Sequence, residues 1–165
     1  MADLTVRELT AEDWRLWREL RLAALTEAPY AFGSKLADWQ GSRDREERWR
    51  ARLAIPGSAT FAATLDGIPV AVAGSIPVEA DVVELVSVWV APHARGRGVG
   101  DLLIRAVTAW AAKAGFAHVR LAVLPSNAPA ITLYERHGFV PTGIPGDDVP
   151  GTADCELIMA RPVSS

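Results

Sequence analysis

Cysteine is nearly missing from this chain. Cys155 stands alone among 165 residues, so no internal disulfide can close and no thiolate cluster can hold a metal. Histidine is almost as scarce: His93, His118 and His137 are scattered, without the spacing that sets paired ligands on one face, and no metal is predicted. Positive charge is not in excess. A formal net charge of -3 and a pI near 5.6 give no long-range attraction to phosphate backbones, so no nucleic-acid partner is expected. Apolar runs are short, none approaching the roughly 18 uninterrupted residues of a membrane span. Met1 to Arg7 lacks a basic stretch leading into an apolar one. The expectation is a soluble, cytoplasmic protein with no membrane partner. Repeats and low-complexity linkers are missing too, and a second core would leave each half near the limit at which burial offsets chain entropy. One domain over residues 1–165 is predicted.

Half of the residues are apolar, enough for a sizeable core. Leu4 to Leu9 alternates as an edge strand does, and Thr10 with Asp13 three positions on reads as a helix N-cap. Trp14, Trp17, Leu20 and Ala24 then recur at helical spacing, closed by Pro29 before the aromatic turn Tyr30-Ala31-Phe32-Gly33. A second helix is expected from Ser42 to Ala54, with Trp49 and Leu53 inward. Asp66-Gly67 between Thr60–Leu65 and Pro69–Val78 predicts a tight hairpin, because both residues tolerate positive φ. Val82 to Val90 is a further strand. Asp101 to Ala114 reads as a helix with Leu102, Leu103, Ala106 and Trp110 inward, ended by Gly115. Val119 to Leu124 is a strand, Ala128 to His137 a helix, and Phe139 to Thr142 pairs with Cys155 to Arg161 across a Gly/Pro/Asp-rich loop, Gly143 to Gly151.

Between the strand ending at Val90 and the helix at Asp101 stands Ala91-Pro92-His93-Ala94-Arg95-Gly96-Arg97-Gly98-Val99-Gly100. Residues without Cβ let backbone N–H groups approach an anion, and the following helix points unpaired N–H groups and its positive dipole end at the same place. Alone, the loop reads equally as a tight turn using glycine for geometry. The dinucleotide pattern GxGxxG fails because Asp101 stands where its third glycine belongs, and a Walker loop fails because no Gly-Lys-Ser/Thr follows.

The pattern Gln/Arg-x-x-Gly-x-Gly is met by Arg95, Gly98 and Gly100, and in this it resembles the coenzyme A signature of the GNAT superfamily of N-acetyltransferases. Leu124-Pro125-Ser126-Asn127 and the helix from Ala128 to Tyr134, running on to Gly138-Phe139, is similar to that family's second motif. The motifs cover about residues 84 to 142 and stand in the family's order. The resemblance implies an α/β (α+β) fold: a mixed, mostly antiparallel sheet of about seven strands, two of them parallel and splayed, with about four helices on both faces. It implies acetyl-coenzyme A as cosubstrate, with no metal, and direct transfer of the acetyl group to a primary amine in a ternary complex.

By the same resemblance the pantetheine arm would lie in the gap between Glu84–Val90 and Val119–Leu124, hydrogen-bonding like an added strand to Val88, Trp89 and Val90. One of those N–H groups would stabilise an oxyanion. Arg95, Gly96, Arg97, Gly98, Val99 and Gly100 would hold the pyrophosphate, and Asn127 and Tyr134 would line the cofactor. Glu84 lies 11 positions before Arg95, the offset of the catalytic glutamate in the histone-modifying branch, and implies a base acting through water; the residue reads equally as a solvated strand start. Tyr134 falls at the position of the general acid toward the coenzyme A sulfur. Asn127 also fits an N-cap, His137 a solvent-facing helix end, and Cys155 a small buried apolar position.

The acceptor is expected between Tyr30–Trp39, with Tyr30 and Phe32 as candidate contacts beside Glu84, and the loop Gly143–Asp154. Asp147, Asp148, Asp154, Glu79 and Asp81 would favour a cationic amine. A small-molecule amine is favoured, with a protein N-terminus or lysine, a non-catalytic acyl-coenzyme A sensor or interaction module, and a homodimer left open.

Overall fold

The structure, a computed structural model, describes residues 3–27 and 36–163. Its elements are β1 (Leu4–Glu8), α1 (Trp14–Glu27), α2 (Glu46–Leu53), β2 (Ala59–Leu65), β3 (Ile68–Glu79), β4 (Val82–Val90), α3 (Val99–Lys113), β5 (His118–Val123), α4 (Ala128–Arg136), β6 (Val140–Asp148) and β7 (Cys155–Pro162). Local chemistry sets the joints. The Glu12 N–H donates to Thr10 Oγ1 at 3.3 Å and the Thr10 N–H to Asp13 Oδ2 at 2.8 Å. This capping box opens a single 3₁₀ turn that runs into α1. Asp66 and Gly67 both take positive φ, 52° and 84°, and fold β2 onto β3 as expected.

Seven strands form one sheet in the order β1-β2-β3-β4-β5-β7-β6. Every pairing is antiparallel except β4 with β5, whose parallel direction requires the crossover that α3 supplies. The consecutive residues Val72 and Ala73 point to opposite faces, and both are fully buried; helices therefore cover the sheet on both sides. α1 and α2 lie on one face and α3 on the other, with Trp17, Trp49, Leu103, Ile104, Phe139 and Met159 among the largest buried side chains.

Four expectations are corrected. The second helix is shorter than Ser42–Ala54. The chain breaks at Asp44, whose Oδ1 accepts from Arg18 Nε and Trp49 Nε1, each at 2.8 Å, so the carboxylate holds α2 against α1 from outside the helix. In α3 the buried stripe is Val99, Leu103, Ile104, Val107 and Ala111, one position round from Leu102, Ala106 and Trp110, which sit half-buried at its border. Much of the segment read as a loop from Gly143 is strand: β6 runs to Asp148, on the sheet edge where proline costs no ladder bond. Cys155 is half-buried, its thiol donating to Asp148 Oδ1 at 3.4 Å, because β7 lies next to that edge.

Candidate functional site

β4 and β5 stay paired only from Val82–Glu84 against His118–Arg120. Beyond that point β5 continues along β7, from His118 against Pro162 to Val123 against Leu157, while β4 follows β3 alone. The cause is visible in β4. Between the pairs Val72–Trp89 and Gly74–Val86, β4 carries one residue more than β3, a β-bulge, and Ser87 takes a positive φ of 58°. The strand bends there and its β5-side edge opens. Val88, Trp89 and Val90 lie on this opened edge, and Glu84 is the last residue before it.

The glycine-rich loop follows at the end of β4. Gly96 and Gly98 have φ of 77° and 81°, the left-handed region that a Cβ disfavours, and Gly98 caps α3. The first helical bond runs from the Leu102 N–H to the Gly98 carbonyl at 3.1 Å, so the amides of Val99, Gly100 and Asp101 precede the intrahelical ladder and face the loop. Arg97 is exposed. Arg95 is differently engaged: its Nε donates to the Val90 carbonyl at 2.9 Å and its Nη2 to Glu27 Oε1 at the end of α1. Glu27 also accepts from Trp89 Nε1 at 3.1 Å. Arg95 thus ties loop, strand and helix together, while the exposed Arg97 side chain and the helix-start amides are donors that a phosphate could use.

Tyr134 projects from α4 into the interior, its ring edge-on to Phe139 with centroids 5.9 Å apart. Burial pushes its phenol up to about 12, and among the described residues its hydroxyl has no hydrogen-bond partner. Asn127 caps α4, its side-chain oxygen accepting from the Ala130 N–H at 3.3 Å, which leaves its amide N–H groups available. α4 is held to the start of α3 by Asp101, which accepts from Arg136 Nη2 at 3.0 Å and lies 2.7 Å from His137 Nε2. His137 is therefore not solvent-facing, its side chain being 11% exposed. Its pattern in the sequence gave no sign of this, since Asp101 lies a full crossover away.

Near Glu84 the structure adds one acid that the sequence reading did not name, Glu156, to the Asp147 that it did. Burial, then the negative charges of Asp147 and Glu84, push the Glu156 carboxyl above its usual range; Glu156 is the second residue of β7. Asp148 is spent on Cys155, and Glu79 pairs with Arg120 at 3.4 Å. Tyr30 and Phe32 lie outside the described residues. Glu27 was also missed, because its partners Trp89 and Arg95 lie 62 and 68 residues away in the chain. Among the described residues no group of three or more His, Cys, Asp or Glu could hold a metal, and no helix is long and apolar enough to cross a membrane.

These features fit a long, phosphate-bearing thioester. Gly98 keeps the approach to the free amides open, and the unpaired edge beyond Glu84 offers main-chain groups to an extended arm. Tyr134 is a buried residue whose hydroxyl has no hydrogen-bond partner among the described residues.

The model of the acetyltransferase (GNAT) family matches residues 12–139. A streptothricin acetyltransferase from Streptomyces lavendulae is 42% identical over 76 residues, 44% of this chain and 40% of that one. The chain therefore matches less than half the length of that relative. A GCN5-related N-acetyltransferase from Kribbella flavida superposes with a TM-score of 0.76 at 26% identity, covering 96% of this chain and 97% of that one. A putative acetyltransferase from Salmonella typhimurium, solved with its cofactor acetyl-CoA, gives 0.78 at 20% identity, over 99% and 95%.

Proposed function

The chain belongs to the acetyltransferase (GNAT) family, and from that premise we propose that it transfers the acetyl group of acetyl-coenzyme A directly to a primary amine, a small molecule rather than a protein. The observation that carries the reading is the parallel pairing that stops at Glu84. It leaves a main-chain edge beside a helix start with free amides, with a carboxylate at the apex. Bound acetyl-coenzyme A supplies an activated acetyl group as a thioester. The amides of Val99 to Asp101 and the Arg97 guanidinium hold its pyrophosphate, with the dipole of α3 favouring the negative charge. The edge Val88 to Val90 orients the arm, and a main-chain N–H there faces the acyl oxygen.

Glu84 takes the proton from the incoming ammonium, directly or through one water. Tyr134, a phenol whose ordinary pKa of 10.0 already keeps it protonated at neutral pH and which burial holds more firmly so, donates toward the sulfur as it leaves. Glu84, Glu156 and Asp147 give the acceptor side a negative field that concentrates a cationic amine. The relative acting on streptothricin supports a small-molecule acceptor. The test is thiol release from acetyl-coenzyme A against a panel of primary amines and peptides. Release with small amines supports the reading. Cofactor binding with no release under any amine replaces it with a sensor, and release with peptides alone replaces the acceptor.

A further inference from the structure

α1 and α2 each turn an arginine toward the sheet where an apolar residue would serve packing better. Arg21 lies one turn beyond the core Trp17 and is 7% exposed. Arg52 follows Trp49 by three positions on the inner side of α2, and its Nη1 and Nη2 are buried with no hydrogen-bond partner among the described residues. Burial pulls both guanidinium groups down, Arg21 to about 10 with the nearby Arg52 charge as the second cause. No described carboxylate pairs with Arg52, and the segment 28–35 contains no Asp or Glu. The guanidinium stands 5.3 Å over the Trp17 ring, a contact that uses its face and leaves its N–H groups unspent. Two further buried polar atoms nearby have no hydrogen-bond partner among the described residues, Trp17 Nε1 and Thr60 Oγ1.

These groups share one face of the sheet. Thr60 pairs with Gly74 and Gly74 with Val86, and a Cβ on Gly74 would come within 2.8 Å of Arg52 Nη2. The fork therefore rests over a bare glycine in the row Thr60–Gly74–Val86. The next row on the same face is Ile76–Glu84, one two-residue step away, about 7 Å along the strand. Arg52 donors with no acceptor among the described residues thus lie over the row next to that of the proposed base, on the same face.

We propose that Arg52, flanked by Trp17 Nε1 and Thr60 Oγ1 and with Arg21 as second cation, binds a carboxylate carried by the amine acceptor. The acceptor is then an amino acid or a close analogue, its ammonium at Glu84 and its carboxylate at the Arg52 fork, which matches a carboxylate bidentately. This deepens the acetyltransferase reading and rests on it.

The test compares kcat/KM for a set of amino acids with their amides, in the parent, Arg52→Leu and Gly74→Ala. The parent is expected to prefer acid over amide by a hundredfold or more, because an amide leaves the buried Arg52 guanidinium unanswered. Arg52→Leu should erase that ratio. Gly74→Ala, which only pushes the flexible fork aside, should reduce it at little change in Tm. A parent that prefers amides, or an Arg52→Leu protein that keeps the parent ratio, overturns the proposal. A readout without turnover separates the two readings: acetate and succinate should raise the Tm of the parent and not of Arg52→Leu. If no amine releases thiol but this protection is seen, the acetyltransferase reading fails and the carboxylate site stands; equal protection of both proteins overturns the site.

Discussion

The carboxylate of Glu27, the last residue of α1, accepts the indole N–H of Trp89 at 3.1 Å. With Arg95 on the same oxygen, one acidic side chain joins the end of the first helix to the opened strand and to the loop that begins the third helix. Glu27→Ala should orphan the buried Trp89 donor, costing about 1–3 kcal/mol. It should also weaken acetyl-coenzyme A binding, because Arg95 loses one of its two anchors. Glu27→Gln keeps an acceptor and should recover most of the stability. Thermal melts and a cofactor titration on both variants check this; equal Tm for Ala and Gln would sink it.

Gly98 and Gly100 respond to substitution for different reasons. At φ of 81° a side chain on Gly98 costs about 1–2 kcal/mol in backbone strain and would stand in the open space beside the loop, where an anion would approach, so Gly98→Ala should raise the cofactor Kd at least tenfold in a folded protein. A Cβ at Gly100 would meet Leu133 Cδ2 at 3.1 Å. Gly100→Val should therefore shift α4, which carries Tyr134, and lower turnover as well as affinity. Unchanged cofactor affinity in folded Gly98→Ala would remove the loop from the binding site.

Tyr134→Phe should slow the chemical step by about a hundred- to ten-thousandfold while leaving cofactor affinity and Tm close to the parent, since the hydroxyl has no partner among the described residues to lose. The raised pKa also predicts alkaline instability. The folded state keeps its phenolic proton above the ordinary value of 10.0, to about 12, so the stability it contributes is complete below pH 10 and is lost between pH 10 and 12. The Phe variant should lack that loss. Parent-rate turnover by Tyr134→Phe, with chemistry rate-limiting, would make the tyrosine a packing residue.

Glu84→Gln should reduce kcat/KM most at low pH, where the acceptor is protonated and a base matters, and least where the amine is already free. Glu156→Gln should do little to that profile. A larger effect at Glu156 would move the base to β7, and a loss independent of pH would make Glu84 a positioning residue.

Asp44 is held down to about 2 by its bonds from Arg18 and Trp49. Its contribution to stability is present above the unfolded value of 3.8 and is lost as pH falls from there to about 2. Asp44→Ala should flatten the acid limb of the stability profile and lower Tm by several degrees, because the buried Trp49 indole N–H is orphaned. An unaltered acid limb would contradict the assignment.

Much of the fold was legible because it is written locally. The Thr10–Asp13 box, the Asp66-Gly67 turn and the glycine loop each depend on residues within a few positions of one another. What was hidden depends on distant partners. Nothing near Arg52 in sequence signals that Trp17 and Gly74 will enclose its guanidinium, and His137 gives no sign of Asp101. The border of the α3 stripe was misjudged because large apolar residues, Leu102 and Trp110, sit beside smaller ones that are buried more deeply. β6 was read as loop because glycine and proline usually mark turns, yet an edge strand tolerates both. At the candidate site, Glu84, Tyr134 and Asn127 are proposed from motif position alone; the contacts of Glu27 with Trp89 and Arg95, and the approach of Glu156 to Glu84, join residues far apart in the chain.

The bulge at Ser87 makes β4 two half-strands out of phase. Before it, Glu84 and Val86 share a face with Gly74; after it, the residue on that face is Trp89, paired with Val72, where unbroken alternation would have delivered Val88 and Val90. The extra residue acts as a frameshift in the inside-outside code of the strand, and the new frame is what carries the indole to Glu27. Deleting one residue from 86–88 would restore the old frame: Trp89 would turn to the α3 side, its bond to Glu27 would be lost, and the straightened strand could again zip to β5. Length at this place, more than the identity of any side chain, keeps the cleft open.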